Sequence, residues 1–175
     1  MQFDWCGPMF YSKKTGKIKG LLPAKLIGIE GARCPDITMS FQWNSEKNSA
    51  GYKGMAYSSG GDINLGQHGS ISKHEMNNIF GVFGPDFKKG LVCSTPTGNI
   101  DLTPTIIHLL GLKTNTHFDG RVIHEAFLGG VDHEDIKVSI KESKSEYIDK
   151  KCSYKQKLVI SSIEKTQYVD YAKRY

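Results

Sequence analysis

His68 lies between Gln67 and Gly69-Ser70, in a polar loop that also holds Gly60, Gly61, Asp62, Asn64 and Gly66. A neutral imidazole can ligate zinc or act as a base. Glycine-rich backbone lets a ligand approach closely. The plainer reading of a lone loop histidine is an exposed side chain. His74 sits in the first turn of an expected helix, where free N–H groups favour a phosphate or substrate contact; the alternative is a surface histidine. Asp62 and Asp101 read either as ligand-orienting carboxylates or as caps. Asp119 caps the short helix expected over 122–127 or pairs with Arg121. His108 belongs to the edge of a helix core, and His117, His124 and His133 have no partner that spacing identifies. Ser70 and Ser72 have no base at a recognisable spacing, and no G-x-S-x-G elbow, P-loop or dinucleotide fingerprint occurs. No catalytic residue is therefore assigned.

These residues need elements to position them. Ser72 and Glu75 have capping-box spacing for a helix over about residues 73–79. Met76, Ile79 and Phe80 would form its buried face. Val82-Phe83 reads as a short buried strand, and Gly84-Pro85 turns out of it. Pro104 suits a first helical position, with Thr103 as N-cap and Gly111 just past the end. Ile106, Ile107, Leu109 and Leu110 would bury most of that helix. Val122 to Phe127 reads as another short helix. Upstream, Leu26–Ile29 and Asp36–Phe41 read as strands, 44–54 as a loop and Met55–Tyr57 as a short strand. Beyond 134, Ile136, Val138 and Ile140 alternate with polar residues. Leu158–Ile163 and the run from Tyr168 to Tyr171 add two more strands. The tail is expected to be an antiparallel meander with lysine on its edges.

A chain of 175 residues can bury a substantial core. Its net charge of +5 comes from scattered lysines. No helix carries an arginine stripe with aromatic interleaving, so nucleic acid is not an expected partner. No apolar run approaches the length of a membrane span. The cysteines at 6, 34, 93 and 152 form no Cys-x-x-Cys pair, which points to thiols in a reducing, cytoplasmic setting.

One series is more specific than any of its parts: G-x-H-G-S at 66–70, E-M at 75–76, I-F at 79–80, G-P-x-F at 84–87, G-N-I-D at 98–101, P-T-I-I-H-L-L-G at 104–111 and DGRVIHEAF at 119–127. It resembles the C-terminal portion of type I phosphodiesterase/nucleotide pyrophosphatase-like members of the alkaline phosphatase superfamily, over about residues 20–130. The resemblance implies an α/β chain, the C-terminal part of an alkaline-phosphatase-like three-layer mixed-sheet fold, with a small antiparallel β tail. Residues 1–133 would be the partial α/β domain and 134–175 the β extension. It also implies two zinc ions, a threonine or serine nucleophile, and His68 as one metal ligand, acting on a phosphoester small molecule.

The family's nucleophile and its S-D-H-G-type motif have no counterpart here; Asp132-His133 falls after the late histidine and is followed by glutamate. The expectation is a fragment of a metal-dependent phosphoester hydrolase, inactive alone, that self-associates to cover the missing half. A non-catalytic binding or structural domain is the first alternative. A sulfatase or phosphoglycerate-mutase-like member of the superfamily is the second.

Overall fold

A computed structural model describes residues 3–58, 60–61 and 68–175. Asp62, Asn64, Gly66 and Gln67 of the glycine loop lie outside the described residues. The chain is a small mixed α/β protein. Its elements are β1 (Cys6–Tyr11), β2 (Leu22–Pro23), β3 (Ile37–Phe41), β4 (Trp43–Lys47), β5 (Lys53–Ala56), α1 (Lys73–Met76), α2 (Leu102–Leu109), β6 (Ser139–Ile148), β7 (Ser153–Ile163) and β8 (Thr166–Arg174). Three sheets result among the described residues, with strand orders β2-β1-β3, β4-β5 and β6-β7-β8.

The chain divides into two compact units. The first runs up to Asn78 and adds Lys141–Val159 and Val169–Tyr175; the second is Ile79–Ile140 with Ile160–Tyr168.

In the first unit β1 pairs parallel with β2 and antiparallel with β3. The β1–β3 register shifts between Cys6 and Met9. Gly7-Pro8 occupies that interval, and a proline without an N–H is tolerated in a sheet at such an irregularity. The Ile37–Phe41 strand matches the sequence reading. The expected loop at 44–54 is instead a hairpin, with β4 and β5 antiparallel. The apolar run after Pro23 forms a 3-10 turn, Ala24–Ile27, closed by Gly28, and not a strand.

Phe10, Leu22, Trp43, Leu158 and Ala172 are buried, giving this unit an apolar core. Gln156 is buried with them and acts as a polar clamp. Its Oε1 accepts from Met9 N–H at 2.8 Å and from the Tyr154 hydroxyl at 2.8 Å. Its Nε2 donates to the carbonyls of Met9 and Gly20 at 2.8 and 3.1 Å. A buried amide so fully bonded costs little desolvation and fixes strand register. Burial and nearby charge, burial foremost, push the Tyr154 hydroxyl well above the ordinary tyrosine range.

The tail forms three strands, the last two where the sequence places them and the first displaced toward the C-terminus. Each is longer than the apolar alternation indicated, and β6 starts at Ser139, so Ile136 and Val138 precede it. Glu164 and Lys165 alone join β7 to β8, a connection only antiparallel neighbours allow.

The second unit has little regular structure. α2 ends at Leu109 and Gly111 takes φ 63°, the left-handed conformation that suits glycine after a helix. Its start differs from expectation. A 3-10 turn, Asn99–Asp101, runs directly into α2, so Asp101 and not Thr103 holds the N-cap position. Only Pro104 and Thr105 of α2 are buried; Ile106, Leu109 and Leu110 are exposed. Val82 and Phe83 form no strand and are exposed as well. Residues 122–127 hold a 3-10 turn, His124–Ala126, in place of a helix. Phe127 pairs with Phe87 through a single antiparallel bridge and a stacked ring contact at 5.1 Å.

Candidate functional site

His68 is exposed, and the backbone that follows it is tied down at once. Ser70 N–H donates to Glu75 Oε2 at 2.9 Å, and Ser72 N–H to Ser70 Oγ at 3.2 Å. Ile71, itself buried, donates its N–H to Ser40 Oγ at 3.1 Å and accepts from Ala172 N–H at 3.0 Å. Ser72 is the N-cap of α1, accepting from His74 N–H at 3.2 Å. Glu75 thus braces the histidine loop instead of closing a capping box on Ser72. The helix itself is one turn, four residues long. Met76, Ile79 and Phe80 do not form a buried face, since all three are exposed.

His74 faces inward from α1. Its Nε2 lies 3.0 Å from Ser45 Oγ on β4. Its ring stands edge-on to Trp43 at 5.8 Å. Trp43 is fixed in turn, since its indole N–H donates to the Ala172 carbonyl at 2.7 Å. Gly54 of β5, at φ 103°, makes this packing possible: a Cβ there would lie 2.7 Å from His74 Cβ and Cγ. His74 thus bonds Ser45 through Nε2 and packs against Trp43 and the Gly54 backbone.

The second unit contains a buried charged network. Glu125 and Asp101 are fully buried. Arg121 grips Glu125 with both guanidinium amines, Nη1 to Oε2 at 2.8 Å and Nη2 to Oε1. Thr95 Oγ1 donates to Glu125 Oε1 at 2.8 Å. The remaining Arg121 donors reach the Tyr168 hydroxyl at 3.1 Å and the Pro96 and Val122 carbonyls at 3.3 Å each. Asp101 accepts from Gly98 N–H at 2.9 Å, Arg121 N–H at 2.8 Å and the Tyr168 hydroxyl at 3.0 Å. Burial opposes charge on Glu125, but hydrogen bonds from Arg121 and Thr95 outweigh it and hold the carboxyl below the usual carboxylate range. Burial likewise opposes charge on Arg121, and Glu125 more than restores it. Tyr168 is pushed up, first by burial and then by the charge of Asp101.

Strong pKa perturbation often marks catalysis, yet ion-pair frameworks produce it too. Here every oxygen of both carboxylates is occupied and the guanidinium is saturated. The network's carboxylates are both fully buried, and its hydrogen bonds tie together the loop 95–101, the start of α2 and the segment 119–127. Asp119 is not part of it. It is exposed, 4.0 Å from the equally exposed His117, and the expected pairing with Arg121 is made by Glu125 instead. The spacing of Arg121 and Glu125, four apart, was visible in the sequence. The link from Asp101 to Tyr168 spans 67 positions and left no local trace.

His108 is exposed and stacks edge-on with His124 at 4.9 Å and against Phe127 at 5.5 Å. Among the described residues no three His, Cys, Asp or Glu side chains converge as a metal site. Zinc takes three or four protein ligands. His68 with the other described residues does not supply that set.

No family model, curated protein or solved structure matches this chain. Among the described residues no helix is long and apolar enough to cross a membrane.

Proposed function

We propose that this chain contributes part of a metal-dependent phosphoester hydrolase of the phosphodiesterase/nucleotide pyrophosphatase type. In this reading His68 donates one imidazole to a zinc ion. The nucleophile and the other ligands come from a further polypeptide segment or chain that packs on the bare apolar surface of the second unit. The motif series from Gly66 to Phe127 supports it. So does the way His68 is presented: an exposed imidazole two residues ahead of backbone anchored at Ser70, Ile71 and Ser72.

The observation that carries the reading is α2. Its sequence is that of a buried helix, yet Ile106, Leu109 and Leu110 are exposed at 51%, 39% and 62%, and Ile79, Phe83 and Val92 of the same unit at 101%, 99% and 89%. Exposed apolar side chains in such number are what a surface that docks on a partner presents. A second copy of the chain is one such partner, and self-association belongs to the same proposal.

The experiment is hydrolysis of bis(p-nitrophenyl) phosphate with added zinc. The purified chain alone is expected to give no turnover above zinc. Co-expression with a polypeptide that supplies a threonine or serine nucleophile and an S-D-H-G-type motif from the same locus is expected to give turnover, lost in His68→Ala. Turnover that survives His68→Ala overturns the assignment. A second reading, a non-catalytic binding domain, is favoured by one feature of the first unit, a cleft lined with lysine.

A further inference from the structure

The first unit carries a cleft of about 460 Å³, and His68 is not among its walls. Its size falls in the range of small-molecule sites, about 300–1,000 Å³. Lys73, Lys144, Lys157 and Lys173 line it, with Glu142 as the only carboxylate side chain among its lining residues. Trp43, Ser45, Tyr171 and Tyr175 complete the wall. The lysines arrive from α1, β6, β7 and β8. Strand alternation explains the last three: polar residues point away from the core of a half-buried sheet, and here they gather on one side.

Glu142 is shared between two of the ammonium groups, at 2.8 Å from Lys144 Nζ and 3.1 Å from Lys157 Nζ. The carboxyl is held below its usual range by these two bonds, Lys144 foremost. Among the described residues neither Lys73 nor Lys173 has a carboxylate within 4.0 Å. Lys173 instead sits over the Trp43 ring at 5.1 Å, and Lys157 over the Tyr171 ring at 5.6 Å. Trp43 is itself bonded to Ala172 and packed on His74. The aromatic faces therefore hold two of the ammonium groups in place on a rigid wall, a geometry that costs little reorganisation on binding.

Glu142 balances only part of the charge of the four ammonium groups, so the cleft carries net positive charge. A compact multivalent anion complements it. Lysine ammonium groups act as point charges without the planar fork that arginine offers a single carboxylate. They suit tetrahedral phosphate oxygens spread over several ångströms, and the Ser45 and tyrosine hydroxyls can donate to the same oxygens.

We infer that this cleft is a binding site for a small polyanion bearing two or more phosphate groups, independent of His68 and of any metal.

The test is isothermal titration of the intact chain with sodium tripolyphosphate in EDTA at low salt, with orthophosphate, sulfate and citrate as comparators. The expected result is one site per chain, with tripolyphosphate tighter than citrate, and affinity falling as salt rises. Lys73→Glu and Lys173→Glu should each weaken it by on the order of tenfold or more. His68→Ala and Lys113→Glu should leave it unchanged. Lys73→Gln and Lys173→Gln repeat the comparison without charge reversal, should either glutamate variant fail to fold by circular dichroism. Absence of binding at millimolar tripolyphosphate overturns the inference. So does equal weakening by Lys113→Glu, which would mean diffuse attraction, or citrate binding as tightly as tripolyphosphate, which would mean no phosphate site.

Discussion

Replacing Glu125 with alanine removes the carboxylate at the centre of the buried network. It leaves the Arg121 guanidinium, whose side chain is only 14% exposed, without its counter-charge. It also leaves the Thr95 hydroxyl without its acceptor. Removing one partner of a buried pair costs about 3–5 kcal/mol, because the other charge stays desolvated. Arg121 keeps Tyr168 and the carbonyls of Pro96 and Val122, so the lower end, about 3 kcal/mol, applies. For a chain of this size each kcal/mol moves Tm by roughly 2–4 °C, giving a fall of about 6–12 °C in the transition of the second unit. Thermal and urea melts followed by circular dichroism measure it. Amide exchange at Gly98 and Arg121, whose N–H groups donate to Asp101, localises it. The paired change Arg121→Met with Glu125→Leu should cost less than Glu125→Ala alone, since no charge is then stranded. A loss below about 1 kcal/mol, or a double variant worse than the single, would refute the reasoning.

The same carboxylate sets an acid limit. Its folded pKa is lowered, so the stability it gives is fully present above the ordinary value of 4.5 and is lost as pH falls through the folded value; Glu125→Gln should flatten that acid limb in pH-dependent melts. Tyr168 works in the opposite sense: its pKa is raised, so its contribution is intact below the ordinary value of 10.0 and drains away as pH climbs past it, and Tyr168→Phe should flatten the alkaline limb. Gln156→Leu should destabilise the first unit by about 2–3 kcal/mol, because Met9 N–H loses its acceptor; an unchanged urea midpoint would contradict this. Gly54→Ala should cost about 1–3 kcal/mol for its backbone conformation alone and displace the His74 ring. The expected signs are a shifted Trp43 fluorescence band in a Trp5→Phe background and a lower Tm; an unaltered spectrum and Tm would refute the close packing.

Local signals carried part of the fold. Ile37–Phe41, the helix ending before Gly111 and the last two tail strands each announce themselves through residue pattern or capping, and each is present; the alternation at Ile136, Val138 and Ile140 falls mostly ahead of β6. Failures came where burial was inferred from residue type. Met76, Ile79 and Phe80 have helical spacing, but the helix stops at Met76 and all three remain exposed. Ile106, Leu109 and Leu110 also look like core and are not. Sequence pattern reports which surface wants covering, and nothing in it reveals whether the cover is present. The hairpin at 43–56 was missed because Asn44, Ser45, Glu46 and Lys47 read as loop composition, while the strand is set by its pairing with Lys53–Ala56. The site was legible only as isolated histidines. That His74 backs onto Trp43, and that four lysines from four elements face one cleft, depends on tertiary pairing between segments far apart in the chain.

The proposed function stands or falls with His68 as a metal ligand once a second polypeptide supplies the remaining ligands. X-ray absorption at the zinc edge on the resulting assembly, wild type against His68→Ala, tests it most directly. The account predicts that the variant loses one nitrogen scatterer at about 2.0–2.1 Å, together with its hydrolysis of bis(p-nitrophenyl) phosphate. A first coordination shell unchanged by His68→Ala would contradict it.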